Sequence, residues 1–157
     1  MIISVRRAKL SDLKKIQDLN HELFRHDNVY HHDLNLDWPY ETDGEAYFRK
    51  CITEHDRLIS LVAEQDEKII GYLNGCIQKP YTAVQGIRAE IENMCVADSF
   101  RSHGVGTQLI DEFKKWAKTK KADYLFVGAY AKNTAAVAFY QKNGFEPYEL
   151  RQWQKLS

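Results

Sequence analysis

Several features that would declare a function at once are scarce in this sequence. Neither charge is in surplus: 22 Lys and Arg stand against 22 Asp and Glu in 157 residues. A nucleic-acid binder usually gathers basic residues on one face, so the balance argues against a nucleic-acid partner. No apolar run approaches the roughly 20 residues a membrane-crossing helix needs. The N-terminal MIISVRRAKLSDL lacks the apolar core of a secretion signal, so no membrane partner is expected. Cys51, Cys76 and Cys95 are an odd number and form no CxxC pair. That argues against a disulfide framework or a structural zinc, leaves them as small hydrophobes, and fits a reducing cytoplasm. No repeat, low-complexity tract or Pro/Gly/Ser linker divides the chain, so 1–157 is expected to be a single domain.

What is present is a well-punctuated α/β pattern. Residues 2–5 read as a short strand, and Ser11 is placed to cap a helix with apolar positions Leu13, Ile16, Leu19, Leu23 and Phe24. From 26 to 40 the period breaks and a loop is expected. Thr42-Asp43-Gly44-Glu45 has the form of a capping box opening a second helix to about Ile52. Strands at 58–64 and 68–77 flank a polar turn, and 89–96 reads as another strand after a loop. A helix is predicted over 104–118, with Val105, Leu109, Ile110, Phe113, Trp116 and Ala117 on its buried side. A strand at 124–129, a helix at 133–142 ended by Asn143-Gly144, and a final strand at 145–155 complete the chain. The order β-α-α-β-β-β-α-β-α-β predicts an α/β fold: a mixed, mostly antiparallel sheet flanked by helices.

The stretch FRSHGVGTQL, residues 100–109, puts two bare glycines and an arginine at the mouth of a helix. Free amides at a helix N-terminus, together with the helix dipole, make an anion site. Gly104 and Gly106 would let an anion approach without a Cβ in the way, and Arg101 could add charge-assisted hydrogen bonds. A Walker A loop fails for want of the Lys, and a Rossmann turn fails because Leu109 stands where Gly or Ala is needed. The surviving pattern, R-x-x-G-x-G after a strand, points to a phosphate or pyrophosphate.

The run AEIENMCVADSFRSHGVGTQLI resembles the acetyl-CoA-binding motif of the Gcn5-related N-acetyltransferase (GNAT) superfamily. A second stretch, KNTAAVAFYQKNGFE, is similar to the family's Asn-x-x-Ala-x-x-Phe-Tyr-x-x-x-Gly-Phe pattern at Asn133, Ala136, Phe139, Tyr140, Gly144 and Phe145. The element order agrees, so the resemblance spans essentially the whole chain and is weakest over 26–40. It implies acetyl transfer from acetyl-CoA to an amine, with no metal. Amides of Arg101, Ser102, His103, Gly104, Val105, Gly106 and Thr107 would cradle the coenzyme pyrophosphate. The family's strand splays at a bulge and pairs with the pantetheine arm, which maps onto Met94, Cys95 and Val96. An amide there, of Cys95 or Val96, would polarise the thioester carbonyl. Nothing signals an activating base beside Cys95, so direct transfer is expected rather than an acetyl-cysteine.

Glu90 and Glu92 are the candidate bases. Two apart on a strand, they share a face about 6.6 Å apart, and neighbouring carboxylates raise each other's proton affinity. By resemblance, Glu90 matches the base of the superfamily's histone acetyltransferases and Glu92 the carboxylate of its spermidine/spermine acetyltransferases. Tyr140 stands where the family often has a tyrosine near the coenzyme sulfur, able to protonate the leaving thiolate, although core packing also accounts for it. Asn133 is expected to touch the coenzyme, cap its helix, or both. Residues 26–48 hold six acids and no Lys or Arg, interleaved with aromatics. Such an overhang, with Asp33, Asp37 and Trp38, suits a small cationic amine of polyamine or aminosugar type. An ordinary acidic surface accounts for it equally well. A peptide acceptor and a non-catalytic coenzyme A module remain alternatives, and a homodimer is possible on the family's habit.

Overall fold

The structure is a computed structural model that describes residues 2–156, so Met1 and Ser157 lie outside the described residues. Strand β1 (Ser4–Arg7) leads through a 3-10 turn, Leu10–Asp12, into α1 (Leu13–Asp27). Asp12, rather than the expected Ser11, organises this entry: its carboxylate takes the Lys9 amide at 2.7 Å and both arms of the Arg6 guanidinium at 2.7 and 3.2 Å. Burial alone would raise the Asp12 carboxyl, but Arg6 and the Lys9 amide outweigh it and hold it below its ordinary value. Helix α2 (Thr42–Thr53) likewise differs from the capping-box expectation. Thr42 is already helical, Glu41 is the N-cap without a side-chain bond, and Glu45 pairs with Arg49 at 2.7 Å.

Strands β2 (Leu58–Gln65) and β3 (Lys68–Ile77) form an antiparallel hairpin whose turn residues Asp66 and Glu67 have φ of 49° and 62°. Both being left-handed matches the twist of the strands they join. Strand β4 (Arg88–Val96) pairs antiparallel with β3, and α3 (Val105–Thr119) returns across the sheet to β5 (Tyr124–Val127), parallel to β4. Helix α4 (Thr134–Lys142) follows, closed by Gly144 at φ 91°. The sheet order is β1-β2-β3-β4-β5, so the mixed, mostly antiparallel sheet stands as read.

Alternation along the strands feeds two cores. Leu61, Leu73, Ala89 and Ile91 face α3 and its Val105, Leu109, Ile110, Phe113 and Trp116. Val62, Tyr72 and Cys95 face α1 and α2 through Leu13, Ile16, Leu19, Phe48 and Ile52. Each fully buried Leu or Ile of these layers stabilises by about 1.5–3 kcal/mol relative to exposure. Among the described residues no helix is long and apolar enough to cross a membrane.

Two boundaries are corrected at the C-terminal side. Strand β5 stops at Val127, two residues short of the expected end. The predicted strand at 145–155 is absent: residues 145–156 belong to no helix or strand, and Tyr148, Leu150, Trp153 and Leu156 are 67–88% exposed. A strand pattern is realised only against a partner edge, and no ladder among the described residues engages this one.

Candidate active site

Between β4 and α3 the chain makes a 3-10 turn, Asp98–Phe100, and then an exposed turn at 101–104. Ser102 has φ 63° and Gly104 φ 80°, and this alternation turns successive amides outward. The amides of Ser102, His103, Gly104, Val105, Gly106 and Thr107 find no acceptor among the described residues. A Cβ on Gly104 would meet nothing within 4 Å, so the space in front of the turn is open. Val105 is buried against the sheet and anchors the turn from behind.

Two details correct the expected division of labour. Gly106 is bare for packing: a Cβ there would lie 2.8 Å from Cζ of Phe139 on α4. Arg101 is exposed, but its side chain folds back onto its own turn. Its Nε donates to the Val96 carbonyl at 3.0 Å and its Nη2 pairs with Asp98 at 2.9 Å. His103 sits on the Arg101 carbonyl at 2.7 Å. The arginine therefore braces the turn, and the unpaired amides are the groups left to meet an anion.

Strand β4 changes character at Glu92. Ile91 pairs with Gly75 and Asn93 with Asn74, which leaves Glu92 as the extra residue of a β-bulge. The parallel ladder to β5 ends at Ile91 and Val127. From 92 to 96 the strand pairs among the described residues with β3 alone, which leaves one main-chain edge open where the resemblance placed the pantetheine at Met94, Cys95 and Val96. The Met94 and Val96 side chains pack toward α3 and that of Cys95 toward α1 and α2, which leaves only backbone for that edge. Burial pushes the Cys95 thiol up to about 12, so it stays protonated and a poor nucleophile at neutral pH.

The bulge turns Glu92 and Asn93 to the same side. The Tyr47 hydroxyl of α2 donates to Glu92 at 2.9 Å and accepts from Asn93 Nδ2 at 2.8 Å. Glu90 is held apart, accepting from Gln78 at 2.6 Å and half-buried, whereas Glu92 is exposed. The two acids share a face as predicted. Burial and then the charges of Glu92 and Glu90 push the Cys76 thiol between them up to about 12. Beneath the bulge Asn74 is fully buried, and neither end of its amide has a partner among the described residues. Tyr47, Asn93 and Asn74 carried no sequence signal as site residues, because only the register shift brings them together.

Helix α4 opens on Asn133, whose side chain accepts the Ala136 amide at 3.1 Å, so the cap role is real, and its Nδ2 has no partner among the described residues. Tyr140 is half-buried, edge-on to Phe139 at 5.3 Å and Phe145 at 5.7 Å. Burial first, and the charge of Asp27 second, push its phenol up to about 12, which keeps the proton available for donation.

The acceptor residues separate. Trp38 packs on Phe24, Tyr47 and Phe48 at 5.6–5.9 Å between centroids, so its ring mainly builds the wall behind Glu92. Asp33 and Asp37 are exposed acids without ion pairs among the described residues. Asp27, at the last turn of α1, is half-buried and makes no side-chain hydrogen bond or ion pair among the described residues. Burial pushes its carboxyl up, and its charge is felt by Tyr130 and Tyr140. Beside it Tyr30 stacks on Tyr130 at 5.7 Å, so the loop after α1 touches the loop after β5. The sequence grouped Asp27 with the other acids and gave no reason to single it out. Glu22, His26 and Asp98 also approach one another, with His26 and Asp98 at 3.1 Å and Arg101 on the same carboxylate.

An amide turn, a strand edge freed at a bulge and a carboxylate on that bulge follow one another along residues 92–107. The family model for the acetyltransferase (GNAT) family matches residues 16–145. The chain belongs to this family. GNAT relatives include an aminoglycoside N(6')-acetyltransferase type 1 of Salmonella typhimurium, 30% identical over 71% of this chain and 79% of that enzyme. The uncharacterized N-acetyltransferase YobR of Bacillus subtilis is 40% identical over 36% of this chain, a match that spans 23% of its own length. In fold, the chain is similar to AAC(6')-Iy bound to the bisubstrate analog CoA-S-monomethyl-acetylneamine, with TM-score 0.79, 22% identity, and 100% and 99% of the two chains covered. A mutant BH1408 protein from Bacillus halodurans superposes with TM-score 0.86 at 20% identity over 100% of each chain. The acetyltransferase class read from the two glycine-bearing motifs therefore stands.

Proposed function

We propose that this GNAT protein moves acetyl from acetyl-CoA directly to the primary amine of a small cationic acceptor, with Glu92 as base. The observation that carries the reading is Glu92 itself: it is the surplus residue of the bulge at which β4 parts from β5, tied by Tyr47 and open to solvent. The unpaired amides from Ser102 to Thr107 would hold the coenzyme diphosphate. The free edge at Met94, Cys95 and Val96 would align pantetheine, with an amide of Cys95 or Val96 on the thioester oxygen. The amine nitrogen attacks the thioester carbon after losing a proton to Glu92, directly or through a water. The adduct's nitrogen releases its second proton to solvent as the C–S bond breaks, the thiolate takes the Tyr140 proton, and solvent reprotonates the phenolate.

The small, cationic acceptor is supported by Asp27, Asp33 and Asp37, which carry no ion pair among the described residues, and by the Tyr30–Tyr130 stack beside Asp27. A peptide acceptor needs an open groove, and the stack joins the loop after α1 to the loop after β5. The aminoglycoside enzymes among the relatives point the same way. Thiol release from acetyl-CoA over a panel of aminosugars, polyamines, neutral amines and peptides tests the proposal. Turnover should be highest with polycationic small amines. Turnover confined to peptides or neutral amines refutes the acceptor, and none with any amine despite tight acetyl-CoA binding refutes catalysis.

A further inference from the structure

A cleft of about 460 Å³ opens where β3 leaves the sheet and β4 enters it, beside the C-terminal end of α3. Its size suits a small molecule. Helix α3 has 15 residues, so this end lies roughly 22 Å along the helix axis from the amide turn. Arg57, Lys79, Arg88 and Lys120 line the cleft, and none of them has an ion pair among the described residues. Arg57, Arg88 and Lys120 are half-buried. Arg57 donates to the Ile77 carbonyl at 2.8 Å and Lys120 to the His55 carbonyl at 3.1 Å. Arg88 lies over the Phe126 ring at 4.7 Å, and its Nε is buried with no hydrogen-bond partner among the described residues. Taking a cation partly out of water without a counter-charge costs free energy that an anion would return.

Asp56 is the one carboxylate among the lining residues, and it is exposed. Neighbouring acids serve backbone amides instead: Glu54 takes the Arg57 amide at 2.8 Å and Asp123 the Ile87 amide at 2.7 Å. The C-terminal end of α3 adds partial negative charge, and Lys120 is its cap residue. The balance in the cleft is cationic. Ile77, Tyr81, Val84 and Ile87 give it an apolar wall, on which Tyr81 is 69% and Ile87 41% exposed. That wall is pinned: the Ile87 carbonyl accepts the Asp123 amide at 2.8 Å, and the Tyr81 carbonyl accepts the Val84 amide at 3.0 Å. We propose that the cleft is a second ligand site, binding a small organic anion in which a carboxylate or phosphate is carried on an apolar ring. Arg57, Lys79 and Lys120 meet its charge, and Tyr81 and Ile87 its ring. Gln78 also lines the cleft and donates to Glu90 at 2.6 Å, so the site borders the acid pair from the side away from the coenzyme turn.

Titration calorimetry of the full chain under saturating coenzyme A tests this, because the coenzyme then fills the amide turn. Phenyl phosphate or benzoate should bind once per chain, and the tighter of the two names the anionic group. Inorganic phosphate should bind about tenfold more weakly, for want of the ring, and phenol not at all. Arg57→Gln and Lys79→Glu should each weaken binding by about tenfold. Lys79 is exposed, so its reversal leaves the fold intact. Lys15→Glu on α1, the same reversal of charge far from the cleft, should change nothing. Binding that both cleft variants leave untouched belongs elsewhere and overturns the proposal, as does the absence of saturable binding by either ring anion. Inorganic phosphate binding as tightly as phenyl phosphate overturns the part given to the apolar wall. If coenzyme A itself failed to bind, the proposed function would fall, while the two cleft variants would still decide this site.

Discussion

At the scale of single residues, the motif glycines have unequal jobs. Gly104 needs its left-handed φ of 80° and faces open space, whereas Gly106 admits the Phe139 ring at 2.8 Å. Gly106→Ala should therefore destabilise the fold by ~1–3 kcal/mol through overpacking, read as a lower urea midpoint. An unchanged midpoint would show that Phe139 yields freely. Glu92→Gln keeps the shape and removes the basic carboxylate. Turnover should fall by about 10²-fold or more with acetyl-CoA affinity unchanged, and Tyr47→Phe should cost less, since it removes only a partner of the base. If Glu90→Gln were the more damaging change, the base assignment would move to Glu90. Sequence reached both acids because alternate residues of a strand share a face. It could not rank them, because Tyr47 and Gln78 reach them from other elements.

At the scale of elements, helix periodicity was fully legible. Every buried position predicted for the helix at 104–118 is buried in α3. The caps were less so, because Ser11 and Asp12 both suit a helix start and only the position of Arg6 across the turn selects Asp12. The bulge was legible only through the family resemblance, and its place at Glu92 was not, since a register shift is a relation between two strands. Packing of α1 and α2 on the sheet also sets the alkaline behaviour. Burial pushes Cys51, Cys76 and Cys95 from an ordinary 9.0 up to about 12, and Tyr140 from 10.0 to about 12. Folded-state values above unfolded ones mean the native state holds these protons more tightly. Stability is then full below pH 9 and is lost as pH rises toward about 12. Urea midpoints should be lower at about pH 10.5 than at about pH 8, and thiol alkylation of the native protein should be slow at the lower pH. Equal midpoints would show that these groups ionise alike in both states.

At the scale of the molecule, net neutrality conceals an uneven field. The 22 positive and 22 negative side chains cancel, yet 26–48 carries only acids among its fixed charges. Asp27 is half-buried at a helix C-terminus, where the dipole already disfavours an anion, and it has no counter-ion among the described residues. A cationic acceptor would supply one. Asp27→Asn should raise the acceptor KM and leave the acetyl-CoA KM nearly unchanged. Salt should weaken acceptor binding, because screening limits such charges to ~8 Å at physiological ionic strength. An acceptor KM that ignores both changes would leave these acids as surface. The order of elements was readable in the sequence down to α4 because each has its own period and punctuation. The last strand was not, because pairing depends on an edge that local pattern cannot locate.

The early end of the β4–β5 ladder has a consequence in time as well as in shape. Ala89 and Ile91 lie between two paired neighbours, whereas 92–96 has a neighbour on one side only. Amide exchange with heavy water should therefore change abruptly within one strand, slow before the bulge and quick at the outward amides after it. Saturating coenzyme A should erase that step, so the strand would report its own occupancy.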